Sequence, residues 1–161
     1  MRNSLWQSFQ FAGRGLRAAF WSQRTMRIHL LLAAAVTASV VWLDLPLTET
    51  AVVVLAMAAV LAAELMNTAL EVVVHLQVGD QHHELAGRAK DLSAAAVLVT
   101  AGGAAIVGLL VLAPPVAVAL GVGRPDLLMF GRLGALVGVL ALAVVALQRA
   151  GERAGSTGGT S

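Results

Sequence analysis

The spacing of the charges constrains this chain more than any other feature. Four long apolar stretches, at about residues 26–45, 50–76, 92–112 and 127–147, run almost without them. Blocks of about 20 such residues are long enough to cross a bilayer as helices. The whole chain is 12% charged, against about 25% in an ordinary soluble domain. The expected fold is an all-α membrane protein in one domain. The absence of cysteine rules out disulfides and thiolate metal sites.

The net charge of +2 gives no argument for nucleic acid, but its distribution matters. Arg2, Arg14, Arg17, Arg24 and Arg27 precede residue 28 with no acid among them. Such a stretch fixes topology or binds anionic lipid. Residues 4–22 place Leu5, Trp6, Phe9, Leu16 and Phe20 near one side of a helix, which predicts an amphipathic helix lying in the membrane interface. The first apolar block starts too late for a usual signal peptide. The positive-inside rule puts both termini in the cytoplasm, because the inside segments then also hold Arg88, Lys90, Arg149 and Arg153.

The spans are joined by a tight acidic turn at 44–49, a polar loop at 77–91 and a linker at 113–126 that begins near Pro114-Pro115. Residues 149–161 are expected to form a disordered tail. Span two is roughly 40 Å long at 1.5 Å per residue, against a hydrocarbon core of about 30 Å, so one end projects into the interface. Gly102, Gly103 and Gly108 in span three, and the Gly134/Gly138 pair in span four, allow helices to approach closely without naming a partner.

"AELMNTALEVVVHL" (63–76) breaks the apolar pattern. Glu64, Asn67, Thr68, Glu71 and His75 fall within an arc of about 100° on one helix. An acid at mid-membrane costs on the order of 3 kcal/mol even on the mild insertion scale, so this stripe faces protein or a wet cavity. The two glutamates are two turns apart, about 10 Å along the axis. That separation suits one carboxylate acting as a base and the other as a ligand for a hard cation such as Mg²⁺. The alternative is a polar seam that fixes helix register. The grouping beside a basic loop favours a site. Lys90 and Asp91 are expected at the start of span three, Asp91 as an N-cap or first-turn acid. Lys90 is then either a phosphate-binding point charge or a positive-inside anchor. His82 and His83 lack a spaced third metal ligand and are expected at the interface.

"AELMNTALEVVVHL", "HHELAGRAKDLSAAAVL" and the upstream "GLRAAFWSQRTMRIHLLLAAAV" resemble the small integral membrane kinases of bacteria, diacylglycerol kinase and undecaprenol kinase, over about residues 9–112. The matching positions are Glu64, Asn67, Thr68, Ala69, Leu70, Glu71, His83, Ala89, Lys90 and Asp91, and "MRIHL" is similar to the undecaprenol kinase branch. The resemblance implies a three-span kinase core at 1–112, to which 127–148 adds a fourth helix. It implies transfer of the γ-phosphate of ATP to a lipid hydroxyl at the cytoplasmic face of the bacterial inner membrane, in a homotrimer with sites between subunits. It makes Glu64 the catalytic base and Glu71 the Mg²⁺ ligand. Asn67, Glu71, His83, Lys90 and Asp91 bind ATP, and Arg17, Trp42 and Glu64 meet the lipid. Gln23 stands where the family has a second metal-binding Glu, and His75 where it usually has Asp. These departures motivate a rival, a pseudokinase with a scaffold role, and the acids within the membrane motivate another, a small ion transporter. A P-loop signature is absent.

Overall fold

The computed structural model describes residues 4–79, 81 and 83–121. Span four, the linker beyond residue 121, the tail, Asp80 and His82 lie outside these residues. The chain divides into two compact units at Ala113/Pro114, and everything that builds the site belongs to the first.

Four helices follow in order: α1 (Leu5–Ser22), α2 (Arg24–Trp42), α3 (Leu47–Val78) and α4 (Glu84–Ala119). The last three are long and apolar enough to cross a membrane. The protein is an all-α membrane protein. Helix α1 opens on a capping box in which the Ser4 hydroxyl accepts from Gln7 N–H, while Gln7 Oε1 accepts from Ser4 N–H. Its aromatic side chains Trp6, Phe9 and Trp21 are exposed, as an interfacial helix requires. The buried exception is Ala19, near its C-terminal end.

Gln23 interrupts the helices in an extended conformation. Its backbone N–H closes α1 on the Ala19 carbonyl at 2.9 Å, and the chain then starts α2 in a new direction. Met26 and Val40 of α2 are buried, as are Val53 and Val60 of α3. With Ala19, these few residues are the apolar core of the first unit. So small a core cannot hold a soluble domain, whereas a membrane helix keeps its apolar sides toward lipid and its backbone bonds internal.

The turn after α2 is tight. Asp44 takes a φ of 50°, which an Asp tolerates better than most residues, and Pro46 precedes the first turn of α3. Gly79 ends α3 with φ 56° and ψ −133°, a conformation that a Cβ would strain. Its N–H donates to the His75 carbonyl at 2.8 Å.

Two boundaries differ from the sequence reading. The loop expected to last until Asp91 ends at His83, so Lys90 and Asp91 lie in the second turn of α4 and Asp91 is not its N-cap. Residues 84–91 are rich in Glu, Leu, Ala, Arg and Lys, all strong helix formers, with Gly87 and Asp91 the weak members. At the other end α4 continues through Pro114 and Pro115 to Ala119. Proline removes an N–H and disfavours the turn before it, but apolar residues on both sides suit a helix, and membrane helices tolerate such sites.

Candidate active site

The polar stripe of α3 faces the start of α2 and the third turn of α4, and it divides into two clusters. In the first, Glu64 is almost wholly enclosed, with 1% of its surface exposed. Thr25 Oγ1 donates to Glu64 Oε2 at 3.1 Å, and Thr68 Oγ1 donates to the Glu64 carbonyl at 2.9 Å. His29 Nδ1 lies 2.9 Å from Glu64 Oε1. That contact is off the axis of a directed hydrogen bond, and neither atom has another hydrogen-bond partner among the described residues.

In the second cluster Glu71 is half-buried and receives an amide hydrogen on each oxygen. Gln23 Nε2 donates to Oε2 at 2.7 Å. Asn67 Nδ2 donates to Oε1 at 3.0 Å. Asn67 Oδ1 faces Ser93 Oγ of α4 at 2.6 Å, and that hydroxyl also lies 2.8 Å from the Lys90 carbonyl. A hydroxyl has one hydrogen, so Ser93 shares it between these acceptors. The result is a continuous polar connection from the α1–α2 junction through α3 to the turn that carries Lys90.

Beside Glu64 the helices leave a cavity. No Cα of α4 comes within 8 Å of another helix among the described residues, and the space between α2, α3 and α4 holds a volume of about 330 Å³. Its walls are apolar, with Val36, Val60 and Leu61 opposite Ala101, Ala104 and Gly108. Its one polar lining residue is His29. The α4 side follows a helical spacing of three and four, so small side chains along one face create the gap. The volume is at the low end of ligand pockets, about 300–1,000 Å³.

The sequence profile of prokaryotic diacylglycerol kinase matches residues 10–112. That stretch contains α1 from its second turn, α2, α3 and the site-bearing part of α4. The chain belongs to the prokaryotic diacylglycerol kinase family. It is 43% identical over 122 residues to the diacylglycerol kinase of Synechocystis sp., covering 71% of this chain and 70% of that protein. It is 37% identical over 112 residues to the undecaprenol kinase of Bacillus subtilis, covering 70% and 90%. With the diacylglycerol kinase of Escherichia coli K12 it shares 35% over 92 residues, covering 55% and 72%. The chain is therefore a lipid kinase, and a kinase implies ATP as phosphate donor.

The structure carries Glu64, Asn67 and Glu71 on α3 and brings Gln23, the position singled out by the resemblance, onto Glu71. His75, expected on the same stripe, is exposed in the last turn of α3. His83, Lys90 and Asp91 are exposed on or beside the first turns of α4. Arg17 is exposed on α1. Trp42 is exposed at the end of α2, 13 residues and so about 20 Å along the axis from His29. The structure does not bring it to the carboxylates. Thr25, His29 and Ser93 join the site although sequence reasoning gave them no part in it. The signal for the first two was their spacing of four on α2, which puts both on one face.

Among the described residues no three His, Cys, Asp or Glu side chains gather as a metal cage. Mg²⁺ usually takes one or two carboxylates and fills its octahedron with phosphate oxygens and water. Glu71 supplies one carboxylate, flanked by the amides of Gln23 and Asn67. This donor set fits an ion that arrives on a nucleotide, and does not fit one held by protein alone.

Proposed function

We propose that this kinase phosphorylates the hydroxyl of a membrane lipid, undecaprenol or diacylglycerol, in an ATP- and Mg²⁺-dependent reaction at the cytoplasmic face of the inner membrane. The observation that carries the reading is the position of Glu64, an enclosed carboxylate beside the polar end of an apolar cavity. Lipid is the acceptor class that suits such a slot, and a carboxylate there is placed to take the hydroxyl's proton. About 10 Å away along α3, Glu71 and its amide partners face the turn of Lys90. That second cluster is the nucleotide end of the site. Asn67 orients Glu71, and Lys90, Asp91 and His83 border the phosphates. Mg²⁺, when bound at Glu71, neutralises charge on the phosphates during transfer. Arg17 and the exposed aromatics of α1 hold the entrance at the lipid headgroups. Both termini are cytoplasmic in this reading. The working unit is a homotrimer, by analogy with the family, and a neighbouring subunit then completes the nucleotide end.

The test is transfer of labelled phosphate from ATP to each lipid by purified protein in bilayers. Glu64→Gln is expected to lower kcat by about 10²- to 10⁴-fold, the usual worth of a positioned base, while ATP binding persists. No labelled lipid from wild type at any Mg²⁺ concentration, or an unimpaired Glu64→Gln, would sink the assignment.

The Gln23 amide seated on Glu71 favours a second reading, a pseudokinase that binds nucleotide without turnover. ATP affinity without transfer, and activity gained on Gln23→Glu, would select it.

A further inference from the structure

Among the described residues, two buried polar atoms are left over when the site's hydrogen bonds are assigned: His29 Nδ1 and Glu64 Oε1. They are neighbours, 2.9 Å apart, and do not satisfy one another in direction. Burying such groups without partners costs about 1–3 kcal/mol each, so native sites keep them for a ligand or a water. Glu64 is 1% exposed and has its other oxygen occupied by Thr25. His29 lines the apolar cavity, and α2 carries it there one turn beyond Thr25. One orphan is an acceptor and the other, as Nδ1–H, is a donor.

A group that answers both must donate and accept at a single atom, on the end of an apolar chain. An alcohol does this: one hydrogen to give, two lone pairs to receive. An oxygen placed about 2.8 Å from both atoms makes two ordinary hydrogen bonds. We propose that His29 and Glu64 together form the receptor for the lipid hydroxyl, with His29 donating from Nδ1 to the hydroxyl oxygen and so selecting an alcohol at the cavity's polar end. This rests on the reading of Glu64 as base. The hydroxyl proton passes to Glu64 Oε1. The lone pair not held by His29 forms the new bond to the γ-phosphorus. The bond from that phosphorus to the β,γ-bridging oxygen breaks, and ADP leaves with its electron pair. His29 keeps its proton throughout, so its contribution lies in binding and aiming the acceptor.

The experiment compares wild type, His29→Leu, His29→Asn, His29→Gln and Glu64→Gln in bilayers, with KM measured separately for lipid alcohol and for ATP. Asn can put an amide N–H near the position of Nδ1, whereas Gln places its amide near that of Nε2. Loss of one neutral hydrogen bond is expected to raise the lipid KM of His29→Leu about three- to tenfold. The ATP KM stays unchanged, and His29→Asn recovers most of the difference while His29→Gln does not. A lipid KM equal to wild type in His29→Leu, or an equal rise in both KM values, overturns the proposal. Should His29→Leu fail to insert and fold, Asn against Gln decides: equal lipid KM values for those two overturn it as well. Glu64→Gln separates the layers. If that variant remains active, the base assignment fails and this one with it. If it is inactive while the His29 variants bind lipid normally, only the role of His29 is wrong.

Discussion

Gln23 and Glu71, 48 residues apart in sequence, meet at 2.7 Å through an amide hydrogen. The break between α1 and α2 makes the contact, because it turns the Gln23 side chain from the interfacial helix onto the polar stripe of α3. A carboxylate at position 23 would instead face Glu71 as a like charge, tolerable only with a cation between them. Gln23→Glu is therefore expected to lower the Mg²⁺ concentration for half-maximal activity several-fold. It should also lower thermal stability without Mg²⁺ by a few degrees and restore it with the metal. Activity titrations and unfolding scans with and without Mg²⁺ check both halves, and a metal requirement that does not move would show that position 23 does not address the ion.

Asn67 ties α3 to α4 through one side chain, with Glu71 of its own helix on its amide nitrogen and Ser93 of α4 on its oxygen. Asn67→Ala frees Glu71 Oε1 and leaves Ser93 to the Lys90 carbonyl. Disrupting one buried bond and stranding a partner costs about 1–3 kcal/mol. If Asn67 acts by orienting Glu71 at the nucleotide end, the ATP KM rises about tenfold while the lipid KM holds. Ser93→Ala is expected to have a smaller effect of the same kind, because Asn67 keeps its bond to Glu71. Equal losses in both KM values would mark Asn67 as a fold residue only.

Much of this was legible in the sequence, and the gaps have physical causes. Acids inside an apolar run are costly enough to be read as deliberate, and the 3.6-residue period then put Glu64, Asn67, Thr68 and Glu71 on one face. The same period placed His75 there, but in the last turn of α3 the stripe has outrun its neighbours and the side chain is exposed. The sequence reading starts span three only at Lys90 and Asp91 because the charges and Gly87 before them resemble a loop; helix propensity over 84–91 is the better guide. The partners Thr25, His29 and Ser93 could not be paired from one chain, since each is far in sequence from the stripe residue it meets, Thr25 at 39 residues from Glu64 and Ser93 at 26 from Asn67. Small polar residues on apolar helices give little signal until the helices are placed side by side.

The cavity beside Glu64 owes its volume to Ala101, Ala104 and Gly108 along one face of α4. Helix-packing logic would use such small residues to bring helices together, yet here α4 stands off and the space remains open. If that space holds the first part of the lipid chain, filling it should compete with lipid and with nothing else. Ala104→Phe adds a ring to the wall, whereas Ala104→Val adds two methyl groups. The expected result is a graded rise in lipid KM, modest for Val and tenfold or more for Phe, with the ATP KM unchanged. A short-chain diacylglycerol should be affected less than a long-chain one, because less of it enters the filled part. Each variant is scored with both lipid acceptors in the same bilayer, so that acceptor preference is read alongside affinity. Lipid kinetics indifferent to Phe at position 104 would place the acceptor chain elsewhere and leave the gap to be explained by packing between subunits.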